Sequence, residues 1–384
     1  MIDVKFEDLK PGMIVGKPVV TSGGQVIIKE QTELTNPLIA RIEFYSITHI
    51  IIDDSLSNSS AKAPALEPVS VRMPLKEAPS KIEDKERSPV HNQSHSQKIQ
   101  QSPKFQEFQI EYSKKIGSTK NALDHLLASE EIDPSSLLDE TINLIHGNSM
   151  NTMDLFDMLH NMRQVDDTIY AHSLNVGLLA RVLGKWLKFS DQDIDTLTLA
   201  GLLHDIGKLR IPDAIMNKPG RLTPEEFAII KMHPRIGYDT IANSSLDLRI
   251  KQAILMHHER CDGSGYPFGF MQQDISKFAM IISIVDVYDA MTAARSYRGP
   301  LCPFSVIQQF EEEGLQKYYP QYILTFLEHI AATYQNNRVL LSNAKHATII
   351  MLNQHRLSKP IVQLEDGNFL DLSKQTDLYI SAII

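Results

Sequence analysis

From Phe105 almost to residue 335 the chain repeats apolar residues at helical spacing. A run of that length commits more than half of the 384 residues to packed α-helices and leaves β structure to the two ends. Phe105, Phe108 and Tyr112 begin one stripe, Leu137, Leu138, Ile142 and Ile145 a second, and Leu155, Phe156, Leu159 and Met162 a third. Residues 101–164 read as connecting helices that pack either on the following domain, at 165–335, or on a second copy of the chain as a homodimer. The expected fold class is mainly α.

The flanks have another grammar. In residues 1–54, Met13-Ile14-Val15 and Val26-Ile27-Ile28 flank Gly23-Gly24 and read as a hairpin. Thr35-Asn36-Pro37 reads as a helix start with Leu38, Ile39, Ile42 and Tyr45 on one face, followed by a strand from Thr48 to Ile52. This is a small α+β accessory module. Residues 55–100 are rich in Ser, Pro, Lys and Glu with no period, the composition of a disordered linker, so the spacing of His91 and His95 there carries no ligand meaning. Beyond residue 335, Val339–Leu341, Thr348–Leu352 and Pro360–Leu364 read as strands, with Glu365-Asp366-Gly367-Asn368 turning into Phe369-Leu370. Residues 336–384 form a short β appendage.

Within 165–335, polar residues interrupt apolar faces where a purely structural helix gains nothing from them. A helix with His172, Val176, Leu179 and Leu183 on one face precedes a second, from Asp191 to Leu209, which Ser190 caps and Gly207 stops. The second carries Gly201-Leu202-Leu203-His204-Asp205-Ile206-Gly207-Lys208-Leu209. Side chains of adjacent helical residues diverge by about 100°, so His204 and Asp205 suit neighbouring metal ions better than one flat pair. Thr223-Pro224-Glu225-Glu226 is a capping box that launches a helix from Phe227 to His233. A helix from Leu248 to Glu259 delivers His257-His258, and Asp286 and Asp289 interrupt a buried helix from Phe278 to Ala293. Taken singly, a buried histidine is a hydrogen-bonded core residue and Asp286 a cap or an arginine partner. Together, His172, His204, Asp205, His233, His257, His258 and Asp286 are the nitrogen and oxygen donors that iron or manganese accepts, in a polynuclear site.

Composition removes competing classes. A net charge of −9 provides no basic surface for long nucleic acid. Cys261 and Cys302 are too few for a disulfide framework or a thiolate zinc site, and they fit a reducing cytosol. No apolar run reaches the ~18 residues of a membrane span. No signal segment opens the chain, so a cytoplasmic location is expected.

The order and spacing of the seven donors resemble the HD superfamily of metal-dependent phosphohydrolases. His257-His258-Glu259-Arg260-Cys261-Asp262-Gly263-Ser264-Gly265-Tyr266-Pro267 is similar to the signature of its HD-GYP subfamily, and Leu203-His204-Asp205-Ile206-Gly207-Lys208 and Asn217-Lys218-Pro219-Gly220 match as well. The resemblance covers roughly residues 165–335 and implies an HD-type helical bundle. It also implies a phosphodiesterase that hydrolyses cyclic di-GMP, through the linear dinucleotide, to GMP.

The resemblance further implies catalytic roles for Asp205, as a bridging ligand, and for Lys208, which also holds the scissile phosphate. His172, His204 and Asp286 would lie toward one metal and His233, His257 and His258 toward the other. Arg295 and Arg298 would grip the second phosphate and a guanine edge. Tyr266 either stacks on a base or packs under its glycine loop. Two departures matter. Thr168 stands where some members place a glutamate, so two metals are expected rather than three. Ala294-Arg295-Ser296-Tyr297-Arg298 lacks the aspartate and proline that the family often has there. A non-catalytic scaffold for cyclic di-GMP or a signalling protein partner, and a hydrolase of another cyclic dinucleotide, stand as alternatives.

Overall fold

The computed structural model describes residues 2–20, 26–34, 38–39, 42, 47, 49–53, 99–129, 133–146, 152–162, 168–218, 220–292 and 301–384. Near the N-terminus, β1 (Ile2–Lys5) pairs antiparallel with β4 (His49–Ile52), and β2 (Val19–Val20) with β3 (Val26–Ile28). The partner of β3 is therefore β2 and not Met13–Val15. Val15 is fully buried and bridges Ile52 instead, and Ile14 bridges Glu33. Val15, Leu34, Leu38, Ile42 and Ile52 build a separate small core. The Gly23–Gly24 turn, the helix start at Thr35–Pro37 and nearly all of the stretch read as linker lie outside the described residues.

The helical region begins with α1 (Pro103–Ser129), α2 (Pro134–His146) and α3 (Thr152–Met162). Their stripes, Phe105, Phe108, Tyr112, Leu137, Ile145, Leu155, Phe156, Leu159 and Met162, are buried in the same core as the helices that follow. Tyr112 donates its hydroxyl to Asn175 Oδ1 at 2.6 Å, which ties α1 to α4 (Ile169–Trp186).

Helix α4 is capped by Thr168, whose side chain accepts from the Ala171 amide at 3.2 Å, and is buried almost throughout. It lies against α5 (Asp191–Leu203), capped by Ser190 as expected. A Cβ at Gly201 would fall 2.7 Å from Gly177 Cα, so paired glycines set the approach of these two helices. Then come α6 (Asp213–Met216), α7 (Pro224–Ile230), α8 (His233–Ile241), α9 (Leu248–Met256) and α10 (Lys277–Thr292). The region closes with α11 (Pro303–Gln309), a π-helical turn at Phe310–Gly314, α12 (Leu315–Lys317) and α13 (Pro320–Thr333).

The C-terminal strands are β5 (Arg338–Leu341), β6 (His346–Met351), β7 (Ile361–Leu364), β8 (Phe369–Asp371) and β9 (Ile380–Ile383). They form one antiparallel sheet in the order β8-β7-β6-β5-β9. The β7–β8 hairpin turns through Gly367 at φ +85°, as the sequence predicts. Strand β9, which pairs with β5, is unannounced by sequence pattern. Val339, Leu341, Ile349 and Val362 point into the core shared with the helices. Among the described residues no helix is long and apolar enough to cross a membrane.

Candidate metal centre

Each predicted donor sits at a helix end or in a helix that the core holds rigid. His172 lies in the first turn of α4. Helix α5 stops at Leu203, short of the expected Leu209, and His204 and Asp205 form the corner before a 3₁₀ turn at Ile206–Arg210. Gly207 is there for proximity and not as a stop signal. A Cβ on it would lie 2.6 Å from the Gly237 nitrogen and closer still to the His233 carbonyl. His233 begins α8 and does not end α7, because Pro234 suits the first turn of a helix and not its interior. His257 caps α9 with His258 next to it, and Asp286 projects from the middle of α10.

All seven donors converge. Asp205 Oδ1 is 3.2 Å from His233 Nε2 and 3.7 Å from His257 Nε2. Its other oxygen, Oδ2, is 3.3 Å from His204 Nε2, 3.5 Å from His172 Nε2 and 2.5 Å from Lys208 Nζ. Two groups able to hold a cation result, His172–His204–Asp205 and Asp205–His233–His257–His258, with Asp205 common to both. Asp286 spans the groups as well: Oδ1 lies 3.1 Å from His172 Nε2 and Oδ2 3.9 Å from His258 Nδ1. The resemblance implied one side only for Asp286.

The hydrogen bonds show what this cluster is suited to bind. His204, His233 and His257 each direct Nδ1 at the carbonyl oxygen three residues earlier, at 2.7, 2.8 and 2.8 Å. A carbonyl only accepts, so Nδ1 carries a proton, and in the neutral form of each ring the lone pair is on the inward-facing Nε2. The His233 and His257 Nε2 atoms are 3.1 Å apart, two lone pairs aimed at one place. His204 Nε2 and Asp205 Oδ1 are buried and lack a hydrogen-bond partner among the described residues. A buried pocket lined by so many acceptors is unfavourable unless a cation meets them, so the residues present fit a metal centre.

Electrostatics agree. Burial works to raise Asp205, yet the adjoining His204 ring and the Lys208 ammonium hold it well below the usual carboxylate range. Burial opposes ionisation of Asp286 too, and its hydrogen bond to His172 overrides it. Burial pushes His257 down to about 4 and His258 well below its ordinary value, the neutral form a ligand needs. His172 behaves oppositely. Burial favours its neutral form, but hydrogen bonds to Asp286 and Asp289 raise it to about 10, so a proton is held where the carboxylates demand positive charge.

Around the donors, Tyr266 stacks on His258 with centroids 4.5 Å apart and donates its amide to the His258 carbonyl at 3.2 Å. His258 thus covers one face of the Tyr266 ring. Lys231 Nζ stands 5.6 Å from the Tyr266 centroid. Arg295 and Arg298 lie outside the described residues. The sequence reading did not single out Glu259, a buried carboxylate that accepts from the Phe268 and Phe270 amides at 2.8 and 3.0 Å and so closes the Tyr266 loop. A carboxylate directly after the histidine pair was the available signal. Asp289 was noticed as an interruption but given no role; its Oδ2 is 2.8 Å from His172 Nδ1.

The family model for the HD domain matches residues 137–322. Residues 137–322 are thus similar to HD domains. The match begins well before residue 165 and takes in most of α2 and all of α3. A cyclic di-GMP phosphodiesterase of Pseudomonas aeruginosa is 43% identical over 145 residues, 36% of this chain and 34% of that one. One from Thermotoga maritima is 35% identical over 179 residues, 46% and 48% of the two chains. A 3'3'-cGAMP-specific phosphodiesterase of Vibrio cholerae is 34% identical over 161 residues, 41% and 31%. The chain thus spans about a third to half of the length of these relatives.

Proposed function

We propose that the protein is a metal-dependent phosphodiesterase that hydrolyses cyclic di-GMP, through the linear dinucleotide, to GMP. One observation carries the reading: the two oxygens of Asp205 face two separate sets of inward-turned histidine nitrogens. Asp205 would be the shared ligand of two divalent metals, iron or manganese, with His172 and His204 on one side and His233, His257 and His258 on the other. Asp286 completes the shell. When bound, such metals stabilise charge on phosphoryl oxygens and lower the pKa of a water nucleophile. Lys208, beside Asp205 and one-fifth exposed, offers its ammonium to a phosphate oxygen. Tyr266, packed on His258, forms part of the wall that a guanine base would meet, and Arg295 and Arg298 would hold the second phosphate. The substrate class, an intracellular second messenger, implies a cytoplasmic enzyme.

Anaerobically purified protein loaded with Mn²⁺ or Fe²⁺ and given cyclic di-GMP should yield linear dinucleotide and GMP by chromatography. Asp205→Ala should abolish turnover; full activity in that variant would sink the mechanism. A second reading has support in the likeness to a 3'3'-cGAMP-specific enzyme. The same assay with 3'3'-cGAMP separates the two, and tight nucleotide binding without product in metal-loaded protein would favour a scaffold.

A further inference from the structure

His204, His233 and His257 owe their orientation to main-chain carbonyls three residues earlier, which no substitution of a side chain removes. His172 differs. Its Nδ1 meets the carboxylate of Asp289 at 2.8 Å, and Asp289 is 1% exposed. Asp289 follows Asp286 by one turn of α10, so a single helix brings one carboxylate to each nitrogen of the same ring, Asp286 Oδ1 being 3.1 Å from Nε2. A carbonyl dipole fixes the tautomer of an imidazole, whereas a carboxylate also raises its basicity as a ligand.

We propose that Asp289 is a positioning residue that accepts the His172 Nδ1 proton, so that Nε2 faces inward as the ligand atom once a metal displaces its proton, and that it strengthens the His172–His204–Asp205 metal subsite relative to its neighbour. The two subsites share Asp205, and only the first has a histidine held by a charged hydrogen bond of this kind among the contacts described, which gives the protein a built-in order of loading. The idea rests on the metal-centre reading above.

The test is a Mn²⁺ titration of the chelator-stripped 384-residue chain, with bound metal counted by elemental analysis. Wild type is expected to fill in two resolved steps. Asp289→Asn, nearly isosteric but uncharged, should weaken one step by about 10- to 100-fold and leave the other within about twofold. His172→Ala should weaken the same step, and adding Asp289→Asn to it should change little more. Equal weakening of both steps, or none, overturns the proposal. No metal uptake by wild type overturns the metal-centre reading instead.

Should Asp289→Asn fail to fold, unmutated protein decides the matter through the histidine ring protons of its zinc-loaded form. The proposal expects the His172 Nδ1 proton well downfield of those of His204, His233 and His257. A His172 proton on Nε2, or an unshifted one on Nδ1, refutes it.

Discussion

Lys208 reaches Asp205 through one 3₁₀ turn, and its Nζ lies 2.5 Å from Oδ2. An ammonium in that position offsets the charge of a shared carboxylate and still has hydrogens for a phosphate oxygen. Lys208→Ala is expected to lower kcat by about 10²-fold, the effect typical of removing one preorganised donor. Metal content should remain at the wild-type level, checked by elemental analysis beside the kinetics; an unchanged kcat would remove Lys208 from the mechanism. At this scale most of the centre was legible, because a histidine or carboxylate buried in an apolar run costs free energy unless something cationic meets it. The same logic could not separate Asp286 from Asp289. Both interrupt one buried helix, and only the three-dimensional position of His172 tells which nitrogen each carboxylate faces.

Helix ends, more than helix faces, build the site, and there sequence signals were uneven. The capping box at Thr223 is present in full: Thr223 Oγ1 accepts from the Glu226 amide at 3.2 Å and Glu226 accepts from the Thr223 amide at 2.7 Å. The other end of α7 was misjudged, since Ile229, Ile230 and Met232 continue an apolar pattern across a real break. The corner at His204–Asp205 hid behind a similar continuity. Its cause is the close approach of Gly207 to the backbone of α8, a contact between segments far apart in sequence. Gly207→Ala is therefore expected to destabilise the fold by about 1–3 kcal/mol through overpacking. It should weaken metal uptake as well, because the clash pushes on His233 itself. Denaturant unfolding paired with the Mn²⁺ titration measures both, and a stable variant with normal uptake would contradict the packing argument.

The helices and the C-terminal sheet share a core, and an ionisable group sits at their junction. Glu311 lies in the π-helical turn, 3% exposed, and accepts from the Ser358 amide at 3.2 Å and from the Ser358 hydroxyl. Burial pushes its carboxyl up from 4.5 to about 7, a stronger effect than those hydrogen bonds and the nearby Arg356 charge. A folded value above the unfolded one means that the fold prefers the neutral acid. The stability from this group is full below about pH 4.5 and is lost as the pH rises to about 7, by roughly 3 kcal/mol. Glu311→Gln should gain on wild type across that window. Urea unfolding at pH 5 and pH 8 gives the comparison, and parallel behaviour of the two proteins would refute it. The sequence marked the β region as an appendage because its strands are short and local. Its burial against distant helices carries no periodic signal, and neither does β9, whose partner β5 lies some forty residues earlier.

The wide separation of the donors has one more consequence. His172, the His204–Asp205 corner, His233, the His257–His258 pair and Asp286 belong to five stretches of chain whose mutual distances exist only in the completed fold. Cations held there act as non-covalent cross-links that close long loops, so their binding free energy adds to that of folding. The metal-free chain is then the form with the weaker hold on its own structure, and a cell short of metal would lose the protein to proteolysis as well as its activity.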